Sequence, residues 1–490
     1  MPIVSGAGGS KPSLNGNLRN FESCYAKLQS TKTPTLRLFR RGLGTFRRRC
    51  RIFAVQRSEH DVVVVGAGII GQTIARKFLL ESDLSVALVD AHFPCSRPSA
   101  TGAGQGYIWM ANKTPRNDLW ELSKRSKQLW ENLTEGIKTE GLDPSHVLGW
   151  KKTGSLLIGR TSEELTMLEK RVEILSNAGL RGELLSSTAL RSMEPEVDVG
   201  EYGGAAYFPD DCQMDAMRTI SFIEKGNRSF SSEGRYAEFY NNPAVSLIRS
   251  STSREVEGIQ TSENLLYARR AVVIAAGAWS NSLMKSLVNL EGVPDIPVQP
   301  RKGHLLVVEN SDIIQIHNAM MEIGYVNYST SGTVGSSSQF DSNVLSNVGV
   351  SMVATTDTMG NLIFGSSREF CGFNADTDDS IIKKIWERSC EYFPCLRKYS
   401  LELLKTKIRV GLRPWIPDGK PIIARVPGLP KLIVATGHEG AGLIMSMGTA
   451  ELVGDMVLGN TIKINCAPFS FNGTDADWAF SDDRLWDLLP

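Results

Sequence analysis

Residues 61–71 read DVVVVGAGIIG, and this stretch decides the fold. Four successive valines suit a strand buried on both faces, as in a parallel sheet. The run breaks at Gly66, Gly68 and Gly71 and continues as a small-residue and apolar helix over residues 72–80, so the order is strand, tight turn, helix. In such a turn the first glycine supplies the backbone angles, the second lets a pyrophosphate approach the peptide N–H groups, and the third lets helix and strand pack closely. The phosphates then sit on the helix N-terminus, where unpaired N–H groups and the helix dipole favour anions. A second strand over residues 85–89 ends at Asp90, near the roughly 20-residue offset at which an acid accepts ribose hydroxyls. An acid there, with no Arg beside it, argues against a 2′-phosphate.

A chain of 490 residues has room for two or three domains. No apolar run approaches the ~20 residues of a membrane span, so the chain reads as soluble, with no transmembrane segment. The formal charge of +1 conceals an asymmetry: residues 1–57 hold twelve Lys and Arg against one acid, Glu22, which leaves the remainder acidic. An acidic body disfavours nucleic acid as a partner. The basic leader is rich in Ser, Thr and Arg and lacks a long apolar centre, so it reads as an organelle transit peptide; a basic arm for an acidic surface is the other reading. Its Ser/Thr-rich first thirty residues favour a plastid (chloroplast), while Arg-rich residues 39–53 suit a mitochondrion. The eight cysteines include no CxxC pair and the six histidines no HExxH spacing, so reduced core cysteines and no metal site are expected.

Further along, residues 94–106, PCSRPSATGAGQG, form a loop of small residues. If a dinucleotide lies over the first turn, this loop reaches its pyrophosphate: Gly104 and Gly106 permit close approach, and Ser99 or Thr101 can donate hydrogen bonds. A plain surface turn is the alternative. An amphipathic helix over residues 118–133 precedes a strand at 153–159 that opens a second, mixed domain. Residues 270–277, RAVVIAAG, read as a buried strand leaving through Ala276 and Gly277, where backbone can again lie against a cofactor. Residues 324–350 are rich in Ser, Gly and Asn and read as a polar loop insertion. Residues 436–442, TGHEGAG, follow a strand and precede a helix over 443–458, repeating the opening design. Ring atoms that gain negative charge on reduction are well placed at such an N-terminus.

Taken together, VVVVGAGIIG with Asp90, TGSLLIG, VVIAAGAWS (272–280), PRKGHLLVV (300–308), GNLIFGSSRE (360–369), GLRPWIPDGKPIIA (411–424) and ATGHEGAG resemble one family in order and spacing. The chain looks like an FAD-dependent oxidoreductase of the D-amino-acid oxidase superfamily, in the branch of glycine oxidase, sarcosine oxidase and D-amino-acid dehydrogenase. The resemblance spans residues 60–460.

It implies an α/β fold in which an FAD-binding Rossmann-like domain, residues 58–115, 205–290 and 405–462, is interleaved with a substrate domain of mostly antiparallel sheet, residues 116–204 and 291–404. Residues 463–490 would be a C-terminal tail. The implied reaction moves hydride from the Cα of an amino acid or related amine to flavin N5, leaving an imine that hydrolyses to a keto acid; oxygen or another acceptor then takes the electrons. By resemblance, Gly437, Gly440, Ala441 and Gly442 belong to the turn whose N–H groups meet the flavin pyrimidine, and Val245 matches a valine whose backbone meets the adenine. Arg413 resembles the family's carboxylate-binding arginine, with a surface pair to Asp418 as the alternative. His304 faces the flavin or substrate, or is a hydrogen-bonded structural histidine. Tyr325 or Tyr328 closes over the substrate or merely packs, and His438 orients backbone. Glycine oxidases carry a second arginine where Gly440 stands here, a departure that makes room for a bulkier or secondary amine. The superfamily also includes organelle flavoproteins that act as assembly factors without a small amine substrate, and this is the alternative function.

Overall fold

The computed structural model describes residues 56–96, 98–252, 255–288, 294–309, 312–324 and 349–471. The elements that shape the site are, in chain order, β1 (Gln56–Val65), α1 (Ile69–Glu81), β2 (Val86–Val89), α2 (Asp118–Thr139), β3 (Asn264–Ile274), β4 (Gln299–Val308), β5 (Leu362–Arg368), β6 (Thr406–Trp415), β7 (Leu429–Thr436) and α3 (Gly442–Leu458).

One eight-stranded sheet has β7, β3, β1 and β2 side by side at its centre, all parallel. Their sequences, VVVV, VALV, AVVI and LIVAT, are buried on both faces, as strands sandwiched between layers must be. Because the strands are parallel, their C-terminal ends share one edge of the sheet. Ligands bind beyond that edge in open α/β sheets. The turn after β1 needs its glycines: Gly66 has φ +114°, and a Cβ on Gly71 would lie 1.8 Å from Gly66 O, so α1 seats directly on the strand end.

The second sheet also has eight strands, running from β6 through β4 and β5 to Gly349–Thr356, Ala319–Glu322, Ser155–Gly159, Gly204–Phe208 and Glu183–Ser186. All its pairings are antiparallel except that of Ala319–Glu322 with Ser155–Gly159. Alternate residues of β4 and β5 (Leu306, Val308, Phe364) pack under the helix Asp379–Tyr392 through Ile381, Ile385 and Trp386. The opposite face turns toward the first sheet. Two strands sort differently from the segment boundaries expected at 205 and 405: Gly204–Phe208 and β6 both pair in this second sheet. Apolar spacing alone does not say which sheet a strand joins, because that depends on long-range pairing.

The segment Glu439–Leu458 is long and apolar enough to cross a membrane, but 67% of its most apolar 18-residue stretch is buried inside the protein. It packs against α1 and α2, and Trp130 Nε1 of α2 donates to Leu443 O at 3.0 Å. An all-round apolar helix in such a place is a core helix.

Candidate functional site

Between the two sheets lies a cavity of about 1740 Å³. This exceeds the roughly 300–1,000 Å³ of an ordinary small-ligand pocket, and suits a dinucleotide with room left for a substrate. The ends of the four parallel strands form its floor: Gly66 after β1, Asp90 after β2, Ala275 to Gly277 after β3 and Thr436 at the end of β7 all line it.

Two helices point their N-termini into this space. Gly68 at the start of α1 and Ala441 at the start of α3 are both N-caps with no side-chain capping bond. Buried helix ends need partners for their first N–H groups, and with the dipole they favour negative charge. At α1, Thr101 supplies part of the need: its Oγ1 accepts from Ile69 N at 3.2 Å. Asp90 Oδ2 accepts from Ala67 N at 2.7 Å and Oδ1 from His92 N at 2.8 Å, which fixes the acid at the rim of the glycine turn. Burial raises its pKa against the pull of those N–H groups. At α3, buried His438 bonds Thr449 Oγ1 at 2.9 Å through Nε2, and burial lowers its pKa to about 3, so the ring is neutral. Thr436 Oγ1 donates to Gly277 O at 2.9 Å and ties the second glycine turn to the end of β3.

The second sheet closes the cavity with cations. Arg301 on β4 and Arg413 on β6 are register partners, and both line the cavity with Arg368. Arg413 Nη2 donates to Ser367 O at 2.7 Å. Its side chain lies across β4 at Gly303, where a Cβ would come within 2.0 Å of Nη2. Facing these arginines is Glu439, whose Oε1 pairs with Arg301 Nη2 and lies 3.6 Å from Arg413 Nη1. Burial would raise the Glu439 pKa, but Arg301, Arg413 and Arg368 outweigh it and hold the carboxyl down at about 2.

The cavity wall therefore gathers Gly66, Gly68, Asp90, Ser99, Thr101, Gly104, Gly106, Ala276, Gly277, Arg413, Gly440, Ala441 and Gly442. Gly71 and Gly437 sit behind it as turn and packing positions. Two expected residues stand elsewhere. His304 is fully buried on the other face of β4: its Nδ1 is bonded to Ser367 Oγ at 2.9 Å, and its Nε2 accepts from Asp378 N at 3.4 Å. Strand alternation is the reason, since residues 301, 303 and 305 face the cavity while 302 and 304 do not. Val245 is exposed and is not part of the wall, while its neighbours Pro243 and Ala244 line it; the contact expected of Val245 is through backbone, which its exposed side chain does not test. Tyr325, Tyr328 and most of the polar insertion lie outside the described residues. Arg301, Arg368 and Glu439 were not singled out in the sequence. The period-2 reading that removes His304 would have brought Arg301 forward, but nothing local marks Glu439 as an ion-pair partner of residues far away in the chain.

Similarity to known proteins agrees with this geometry. The family model described as FAD dependent oxidoreductase matches residues 61–456. Hydrogen cyanide synthase subunit HcnC of Pseudomonas protegens is 26% identical over 444 residues, covering 84% of this chain and 95% of the relative. Among solved structures, glycine oxidase from Geobacillus kaustophilus superposes with a TM-score of 0.68 at 22% identity, covering 84% of this chain and 98% of that one. L-proline dehydrogenase from P. horikoshii gives a TM-score of 0.68 at 19% identity, with 85% and 98% covered. With two uncapped helix N-termini opening on one glycine-lined cavity, and a family match over most of its length, this chain belongs to the FAD-dependent oxidoreductases of the D-amino-acid oxidase family.

Proposed function

We propose that the protein oxidises an amino acid or related amine at its Cα, and that Arg413 anchors the substrate carboxylate. The carrying observation is that Arg413 and the uncapped start of α3 open on the same cavity. When bound, FAD supplies a two-electron acceptor for the hydride of the substrate Cα. The residues that would hold it are Gly66, Gly68, Thr101 and Asp90 toward the nucleotide end and Gly440, Ala441 and Gly442 toward the ring end. The first set offers N–H groups at a helix N-terminus for phosphates and a carboxylate for ribose hydroxyls. The second offers a positive dipole end where negative charge grows on reduction. Arg413, held by Ser367 O, presents Nη1 to an anion and so fixes both place and orientation. The resulting imine hydrolyses to an oxo acid. Relatives named as glycine oxidase and L-proline dehydrogenase support both primary and secondary amines as candidates.

The test is turnover of the purified FAD-loaded protein with an artificial electron-accepting dye, using glycine, sarcosine, proline and D-amino acids, with the oxo acid measured. Arg413→Ala should keep bound FAD yet raise KM at least about tenfold, the loss expected for a charge-assisted pair of 1.5–3 kcal/mol. A protein that keeps its FAD and produces no oxo acid from any compound would count against the reading.

We also propose that residues 1–57, which precede the family match, are an organelle address, with a plastid first and a mitochondrion second. Their excess of Lys and Arg with one acid supports it. Fused to a fluorescent reporter, they should carry it into an organelle in leaf cells; a reporter left in the cytosol would refute the address.

A further inference from the structure

Arg301 and Arg413 lie directly opposite one another in the β4–β6 ladder, on the face turned to the cavity. Like charges so placed weaken the pairing of two strands. The carboxylate of Glu439 stands between them, paired with Arg301 and 3.6 Å from Arg413 Nη1. Since Arg413 Nη2 is engaged with Ser367 O, Nη1 is the nitrogen it turns to an anion, and Glu439 Oε1 stands 3.6 Å from it, at ion-pair distance and without a hydrogen bond.

Glu439 reaches this position from an uncommon backbone. Its φ is +46°, in the left-handed region that residues with a Cβ rarely adopt. Its Oε2 also accepts from Gly440 N, at the turn that leads into α3. The side chain therefore bridges the arginine wall and the helix N-terminus, and it does so on a strained residue next to glycine. Strain of this kind persists where the surroundings hold it, and marks places built to change.

We propose that Glu439 is a built-in competitor for the carboxylate anchor: a substrate carboxylate seats on Arg413 only by displacing it, so residue 439 sets how strongly the site holds anions. This rests on the reading of Arg413 as the anchor. A neutral ligand of the same shape has no claim on Arg413, and its binding does not depend on the charge at residue 439. The device discriminates among substrates by charge, because an acid must bind Arg413 better than Glu439 does.

Benzoate and benzamide, one ring with a carboxylate or a neutral amide, provide the probes. Each is titrated into the FAD-loaded full-length protein and its Glu439→Gln variant, following the visible flavin spectrum and, separately, the heat of binding. Benzoate should bind the variant at least about tenfold more tightly, and benzamide should shift by less than about twofold. Adding Arg413→Met should abolish the gain. Benzoate affinity unchanged or weakened by Glu439→Gln, or benzamide tightened as much as benzoate, overturns the proposal. Should the variant not fold, a crystal structure of the wild-type holoprotein with benzoate decides: the ring carboxylate on Arg413 with Glu439 moved away is required, and Glu439 still on Arg413 overturns it. No turnover is involved, so a protein that oxidises no amine can still pass or fail. A benzoate gain that survives Arg413→Met locates the failure in the anchor reading itself.

Discussion

Gly303 has no side chain, and this leaves the space taken by the guanidinium of Arg413, the proposed carboxylate anchor. A Cβ there would meet Arg413 Nη2 at 2.0 Å, the tip of a flexible side chain, with the backbone oxygen of Ser367 next at 3.0 Å. Gly303→Ala should therefore fold and keep FAD while pushing the guanidinium aside, raising KM for a carboxylate substrate at least about tenfold; an unchanged KM would show that Arg413 does not touch the substrate. At the other end of the cavity, Asp90 holds the N–H groups of Ala67 and His92. Asp90→Ala should weaken FAD binding at least about tenfold, measured by equilibrium loss of flavin on dialysis, since both the turn and the ribose contact lose their acceptor. Neither position involves the amine, so these two effects separate cofactor from substrate binding.

At the scale of elements, each cavity-facing helix depends on one close fit. Gly71→Ala places a methyl 1.8 Å from Gly66 O, a backbone atom that cannot swing aside, with Val64 Cγ1 at 3.3 Å. It should cost at least about 2 kcal/mol, read as a lower denaturation midpoint, with FAD lost in parallel. The start of α3 depends on a neutral His438. Its folded pKa of about 3 lies below the ordinary 6.5, so as pH falls the unfolded chain takes the proton first. Its neutral form costs nothing above about pH 6.5, and stability drains away between there and pH 3. Glu439 adds a second loss lower down: its folded pKa of about 2 lies under the ordinary 4.5, so its contribution is complete above 4.5 and disappears as pH falls toward 2. Unfolding curves across this range should steepen in that order, and His438→Asn should flatten the upper part; an unaltered slope there would show that His438 is not the group being titrated.

For the whole molecule, the parallel sheet was legible because its signals are local. Valine runs, glycine turns and Asp90 all fall within a short stretch, and the same strand–turn–helix design returns at β7 and α3. The second sheet is legible where a strand sits inside a quoted motif, as at residues 300–308 and 360–369, and not at Glu183–Ser186 or Ala319–Glu322, while Gly204–Phe208 and β6 pair in it although their residues fall in segments expected for the cofactor domain. Arg413 and most of the glycines quoted from motifs do line the cavity. Of the two readings open for His304, strand alternation selects the hydrogen-bonded structural one, and the Arg301–Glu439–Arg413 cluster is not legible because its members come from three distant elements. The glycine turns are written in consecutive residues, whereas the arginine wall is assembled by tertiary pairing.

The most direct measurement is anaerobic: the FAD-loaded full-length protein is mixed with each amino acid of the panel and with its carboxamide, and the visible flavin band is followed. One amino acid should bleach the band in a single turnover while its carboxamide, unable to use Arg413, does so at least about tenfold more weakly. A flavin that no amino acid bleaches, or one bleached equally by acid and amide, would contradict an amine oxidation anchored on Arg413.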